Sequence, residues 1–274
     1  LQEKLFLLGV GNVARWVVAQ AQGQFALYGT SRDTAKAERL KQSGIETIVL
    51  TSEFLETKSE ALRPLLKDAF VLVSFPPDGI GDRKLARVAD HLRGLIYVSS
   101  THVYGNRSGL IDECTPIDED FPAAHARLEA ERLWQEKGAV VLRAPALYGP
   151  GYGLHMKLKE GGYRLPNEGE NYTSRIHLKD LGRIIIAAFQ RPLKAGSTYL
   201  VGDLKPASQK EVVCWLCARM GLEMPPSVPL DAVSAKQRVN RQISPKKILA
   251  DLDLKLEFPT YKEGFEQCLE IGDD

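Results

Sequence analysis

Three groups of residues in this chain have the types and spacing to do chemistry, and the first lies near the amino terminus. The apolar run Lys4-Leu5-Phe6-Leu7-Leu8 leads into Gly9-Val10-Gly11-Asn12-Val13-Ala14 and then directly into a helical pattern. In such a turn Gly9 permits the tight bend, Gly11 lets the backbone approach a pyrophosphate, and small Ala14 lets helix and strand pack closely. Asn12 and Val13 open the helix, whose unpaired N–H groups and positive dipole end suit phosphate. The plainer alternative is a tight turn before a core helix. The strand before and the helix after are the context that a dinucleotide turn requires.

The second group is Tyr28-Gly29-Thr30-Ser31-Arg32-Asp33, at the end of the next expected strand. A dinucleotide fold commonly carries there an acid that holds the ribose 2′-hydroxyl. This strand ends without one. Ser31 offers a hydroxyl, and Arg32 offers a fork of donors suited to a 2′-phosphate, so NADP is expected over NAD. The alternative for Arg32 is a solvated side chain opening a helix capped by Asp33 or Thr34. Further along, Ser74-Phe75-Pro76-Pro77 follows a strand, and its two prolines hold the chain extended beneath the adenosine and pyrophosphate. Ala144-Pro145 follows another strand and is expected to border the nicotinamide.

The third group is Ser99-Ser100-Thr101-His102, with Tyr104 just beyond. These residues leave a strand at the ligand edge of a parallel sheet, where hydroxyls and an imidazole can hold a substrate oxygen or move a proton. His125 opens a later helix, where it is either a base or a partly exposed helix-start histidine. Arg164 and Arg175 are candidates for gripping a phosphorylated or carboxylated substrate, or else solvated arginines. His177 and Asp180 read as structural, Asp180 as the cap of a helix near residues 181–190.

Positioning these groups requires strands and helices in alternation. Apolar runs at Leu5–Leu8, Phe25–Tyr28, Thr47–Leu50, Phe70–Phe75, Leu95–Ser99 and Ala139–Leu142 alternate with helical patterns near residues 13–22, 34–43, 60–67, 83–92 and 123–137. The pattern predicts an α/β fold: a Rossmann-type, doubly wound parallel sheet with a small C-terminal substrate-binding lid. Residues 1–150 are assigned to the dinucleotide-binding core, with 179–204 returning to it, and 151–178 with 205–274 to the lid.

The 274 residues are 44% hydrophobic and 26% charged, with a net charge of +1 and no basic block, which argues against nucleic acid or a membrane surface as partner. No apolar run is long enough to span a bilayer, and the first reads as a core strand, so cytoplasm is the expected compartment. Cys214 and Cys217 form a Cys-x-x-Cys inside an apolar helical stretch. They are expected to be buried structural thiols rather than metal ligands.

Tyr97-Val98-Ser99-Ser100-Thr101-His102-Val103-Tyr104-Gly105, Leu128-Glu129-Ala130-Glu131, Leu142-Arg143-Ala144-Pro145-Ala146-Leu147-Tyr148-Gly149-Pro150-Gly151 and Arg175-Ile176-His177-Leu178-Lys179-Asp180 form a distinctive set. Together, from the first strand to about Gly202, they resemble the extended short-chain dehydrogenase/reductases, the NAD(P)-dependent epimerase/dehydratase group. The glycine turn is similar to that of the group's atypical branch. The resemblance implies an NAD(P)-dependent oxidoreductase or isomerase acting on a sugar-like or nucleotide-sugar substrate, and pairing into homodimers through helices that include the one around Leu128. It places Ser100 where the family holds the reacting oxygen, and Thr101 and His102 where dehydratases hold an acid and a base. Arg127 falls where a lysine holds the nicotinamide ribose and lowers the pKa of a tyrosine four residues earlier.

That tyrosine position is Ala123 here. Hydride transfer at an alcohol carbon requires a proton to move on the attached oxygen, which alanine cannot do and an always-charged arginine does poorly. Two readings follow. In one, Ser100 acts with His102, His125 or a tyrosine entering from elsewhere, Tyr104 among them. In the other, the chain is a catalytically silent module that senses NADP(H) or presents an interaction surface.

Overall fold

Strand-forming sequence is concentrated in five apolar segments, of which the first, fourth and fifth are buried on both faces, the pattern of a parallel sheet covered by helices on either side. In the computed structural model, which describes residues 2–21, 23–235 and 237–272, these become β1 (Glu3–Leu8), β2 (Phe25–Ser31), β3 (Glu46–Val49), β4 (Ala69–Val73) and β5 (Gly94–Ser100). With β6 (Val140–Ala144) and β7 (Thr198–Leu200) they form one seven-stranded sheet of order β7-β6-β5-β4-β1-β2-β3. Each neighbouring pair from β3 across to β5 is parallel, with Leu5 opposite both Leu27 and Phe70. The helices α1 (Asn12–Ala21), α2 (Thr34–Gln42), α3 (Ile80–Val88), α4 (His125–Glu136) and α5 (Leu178–Gln190) supply the crossovers and covering layers. The chain leaves β1 toward β2 and β3, then returns to β4 on the other side of β1. This reversal of strand order opens a crevice at the carboxyl ends of β1 and β4, the place where such sheets bind ligands.

The expected Rossmann-type sheet is therefore present. Locally, the helix expected over residues 60–67 is broken into a 3-10 turn at Ser59–Leu62 and a short helix at Arg63–Leu66, with Pro64 at its start. The helix expected to end at Gln22 is described only to Ala21, Gln22 lying outside the described residues.

The chain divides into two compact units. One comprises Leu1–Ser100, Ala123–Arg143 and Leu181–Tyr199; the other comprises Thr101–Pro122, Ala144–Asp180 and Leu200–Asp274. Residues 101–122 and 144–150, assigned from sequence to the nucleotide-binding core, thus fall in the second unit. Parallel pairing of Gly109–Ile111 with Arg241–Ile243, and of Ala146–Tyr148 with Arg175–His177, joins them to it. Among the described residues no helix is long and apolar enough to cross a membrane.

The first unit's core includes Phe6, Leu8, Val71, Val73, Tyr97 and Trp134. A second core, in the other unit, gathers Tyr148, Leu165, Val212, Leu216, Tyr261 and Phe265.

Candidate functional site

The turn between β1 and α1 is held from both sides. The Gly9 N–H donates to Thr30 Oγ1 at 2.9 Å, the Val10 N–H to the Thr30 carbonyl at 3.1 Å, and Ser74 Oγ to the Gly9 carbonyl at 2.8 Å. Strand ends β2 and β4 therefore fix the position of the turn. Gly9 has φ +88°, and a Cβ there would stand 2.8 Å from Phe75 Cβ, so only glycine fits. Gly11 differs: a Cβ built on it meets nothing within 4 Å, so the backbone faces open space. The Arg15 N–H donates to the Gly11 carbonyl at 3.0 Å, making Gly11 the residue that starts α1, with Asn12 and Val13 in the first turn. The amides of such a first turn have no intrahelical acceptors.

This open space belongs to a cleft of about 340 Å³ whose lining residues all lie in the first unit. Gly9, Val10 and Gly11 form its floor, Ser74, Phe75, Pro76 and Pro77 one wall, and Leu50, Leu55 and Leu85 an apolar side that suits a purine face. Thr30, Ser31, Arg32 and Lys36 complete the rim beside β2. The Ser31 hydroxyl donates to the Asp33 carbonyl at 2.9 Å and accepts from its N–H at 3.1 Å. Asp33 caps α2 by accepting the Lys36 N–H at 2.7 Å, one of the two caps anticipated from sequence. Arg32 is largely exposed and forms an ion pair with Asp78.

Lys36 and Asp78 did not emerge as site residues from the sequence. Lys36 carries a recognisable signal, since it is a second cation in the first turn of the helix that follows Arg32. Asp78 carries none, because it reaches the site from another strand end. A bare-backbone approach at Gly11, a helix start, an apolar slot and two cations together fit the adenosine and phosphates of a dinucleotide.

The third group is rearranged relative to expectation. Ser99, expected beside the cofactor, is buried, and its hydroxyl is committed to Glu131 of α4. Glu131 is itself clamped by Arg143, whose Nη2 donates at 2.7 Å and Nε at 3.1 Å. Ser100 ends β5 half-buried; Thr101 and His102, also half-buried, begin a 3-10 turn in the second unit, with the His102 ring edge-on to Phe121 at 5.2 Å. Arg127 Nη1 donates to the Tyr97 hydroxyl at 3.1 Å and to the Val98 carbonyl at 3.4 Å. Burial pushes the Tyr97 hydroxyl up to about 12 despite the neighbouring guanidinium, so Tyr97 is not a proton carrier near neutrality. Ala123 lies exposed in the turn before α4, and His125 is exposed as the first residue of that helix.

Within the second unit, Tyr104, a candidate for touching substrate, is wholly buried and serves packing. Arg175, another such candidate, is also buried: desolvation lowers its pKa, and its guanidinium lies 5.6 Å from the centre of the Tyr261 ring. Burial pushes the neighbouring Asp203 carboxyl up to about 7. Arg164 is exposed and donates to its own loop, at 3.3 Å to the Gly161 carbonyl and 3.0 Å to that of Tyr163. Pro145 is half-buried.

Asp180 is not a helix cap. It lies inside α5 and accepts the N–H groups of Glu257 and Phe258, both at 2.8 Å. His177 is buried and its pKa is pushed down to about 4, chiefly by desolvation. Its Nδ1 accepts the Lys179 N–H at 3.2 Å. Of the Cys-x-x-Cys pair only Cys217 is buried; Cys214 is exposed, because its helix turns that face outward.

No family model matches the chain. It is 27% identical over 248 residues to Protein YeeZ of Escherichia coli (strain K12), covering 84% of this chain and 86% of that one. Among solved structures, a functionally unknown conserved protein from Silicibacter pomeroyi DSS superposes with a TM-score of 0.83 and 28% identity over 100% of both chains. The UDP-glucuronic acid 4-epimerase from Bacillus cereus, in complex with UDP-glucuronic acid and NAD, superposes with a TM-score of 0.78 and 17% identity, covering 98% of this chain and 99% of that one. The fold, a Rossmann-type sheet, is thus shared with solved structures of NAD-dependent epimerases and dehydratases.

Proposed function

We propose that this protein binds a nicotinamide dinucleotide across the β1, β2 and β4 strand ends, favours its phosphorylated form, and acts on a nucleotide-sugar or similar polyhydroxylated substrate. The observation that carries this reading is the pairing of Gly9, where only glycine fits, with Gly11, whose backbone faces an open cavity. Gly11 and the first turn of α1 would hold the pyrophosphate, Leu50, Leu55 and Leu85 the adenine, and Arg32 with Lys36 a 2′-phosphate. When bound, the dinucleotide supplies a hydride donor or acceptor. The chain's own part is to hold a substrate oxygen with the Ser100 hydroxyl and to move a proton with His102, two residues further on, in place of the tyrosine replaced by Ala123.

The test is a titration with NADPH and NADH followed by reduced-nicotinamide fluorescence, then incubation with UDP- and dTDP-sugars and simple aldehydes. Saturable binding, tighter for NADPH, and turnover that falls at least about tenfold in Ser100→Ala and His102→Ala would support the reading. Binding of neither nucleotide removes it. The second reading, a silent NADP(H) sensor, is favoured by Ala123 and by the commitment of Arg127 to Tyr97. Tight binding without turnover of any substrate would select it.

A further inference from the structure

We propose that Asp78 sets the balance between the two forms of the cofactor. Its carboxylate and a 2′-phosphate are alternative partners of Arg32, while an unphosphorylated ribose is held by donating its 2′-hydroxyl to Asp78. This inference rests on the dinucleotide reading above. The strand that ends before Arg32 and the strand that ends before Asp78 flank β1 on opposite sides. Their ion pair therefore links the two sides of the cleft that both residues line.

Asp78 is held in place rather than drifting on a loop. Its N–H donates to Oδ2 of buried Asp82 at 3.0 Å, and Asp82 Oδ1 in turn accepts the Trp134 indole N–H at 2.8 Å. Asp78 Oδ1 accepts the Gly81 N–H at 2.6 Å, which leaves Oδ2 for Arg32. The rim thus carries two cations, Arg32 and Lys36, and one acid. A 2′-phosphate brings nearly two negative charges, which match the two cations only once Asp78 releases Arg32; until then the carboxylate repels it. A 2′-hydroxyl needs an acceptor, and a carboxylate already paired with arginine still has lone pairs to offer. Asp78 therefore stands in for the acid absent from the end of β2.

The experiment is equilibrium titration of the full chain with NADPH and with NADH at one ionic strength, for the wild type, Asp78→Asn, Arg32→Gln and the double variant. Asp78→Asn keeps an amide oxygen to accept the Gly81 N–H, and its melting temperature checks the fold. It is expected to tighten NADPH by about 2- to 5-fold and weaken NADH by a similar factor, the scale of a partly exposed ionic contact. Arg32→Gln is expected to weaken NADPH by about tenfold or more and leave NADH within about twofold. In the Arg32→Gln background Asp78→Asn tightens NADPH by a different factor than in the wild type, since part of its effect is to free Arg32. Strict additivity would mean that the two residues do not share one contact. A wild type that binds cofactor while Asp78→Asn leaves the NADPH/NADH ratio unchanged, or moves both affinities the same way, overturns the proposal. If Asp78→Asn does not fold, Arg32→Gln decides alone: an unchanged ratio is equally fatal. A wild type that binds neither nucleotide fails the dinucleotide reading itself, and the proposal with it.

Discussion

The two glycines of the β1–α1 turn should respond to the same substitution in opposite ways. Gly9→Ala places a methyl 2.8 Å from Phe75 Cβ at a residue with φ +88°. A left-handed conformation costs an alanine about 1–2 kcal/mol, and forcing a methyl into a packed contact costs about 1–3 kcal/mol more. Gly9→Ala should therefore destabilise the first unit by roughly 3 kcal/mol. At Gly11 the added Cβ meets nothing within 4 Å. Where the backbone is unstrained, replacing glycine by alanine changes stability by under about 1 kcal/mol and often raises it, by restricting the unfolded chain. The methyl nevertheless occupies the space in which a pyrophosphate would approach the backbone, so affinity for NADPH should fall by about tenfold or more. Urea unfolding followed by circular dichroism reads the first effect, and nucleotide titration of the folded variants reads the second. If Gly11→Ala bound NADPH like the wild type, or lost as much stability as Gly9→Ala, the assignment of that open space to the pyrophosphate would be wrong.

Two further outcomes follow from buried charge. His177 is held neutral with its pKa near 4, against about 6.5 in an unfolded chain, so its contribution to stability is complete above pH 6.5 and is lost progressively as pH falls toward 4. Between pH 7 and pH 5 this amounts to about 2 kcal/mol, and His177→Asn, compared with wild type in urea at both pH values, should show a correspondingly flatter dependence; an unchanged slope would refute the cause. Arg143→Met leaves Glu131 without its bidentate partner in a buried place and should cost about 3 kcal/mol or more, whereas adding Glu131→Leu should recover most of the loss. Melting curves of the single and double variants measure both.

What was legible in the sequence follows from how far each interaction reaches along the chain. The glycine turn, the alternation of strands and helices, and the Asp33 cap are local, so periodicity and residue type were enough to find them. Arg32 was found for the same reason, as a base where an acid is usual. Its partner Asp78 is 46 residues away and meets it only because the chain returns to β4 beyond β1. The burial of the sequence candidates was hidden for the same reason. Ser99 looked like a ligand residue by its place at a strand end, but its hydroxyl turns toward Glu131, 32 residues on. Arg164 and Arg175 looked alike as cations in a glycine-rich stretch. One is exposed and bonded to its own loop, the other sealed in a core, and burial of this kind is settled by packing between distant segments.

The resemblance puts Ala123 where a proton-carrying tyrosine would stand, and the structure bears on which groups could act in its place. A tyrosine can replace another only if its hydroxyl reaches the reacting oxygen and ionises near neutrality. Tyr97 fails the second condition at about 12, and Tyr104 is wholly buried. Arg127 turns Nη1 to the Tyr97 hydroxyl and the Val98 carbonyl, which ties α4 to β5. Of the groups weighed for the missing proton, His125 is exposed at the start of α4, on the same helix as Arg127, whereas His102 lies two residues beyond Ser100, the last residue of β5. If the proton moves through the His102 imidazole, the pH dependence of turnover should carry an ionisation that disappears in His102→Ala and persists in His125→Ala. Retention of that ionisation in His102→Ala would shift the role to another group. Its absence from the wild type would favour a module that binds its nucleotide without transforming a substrate.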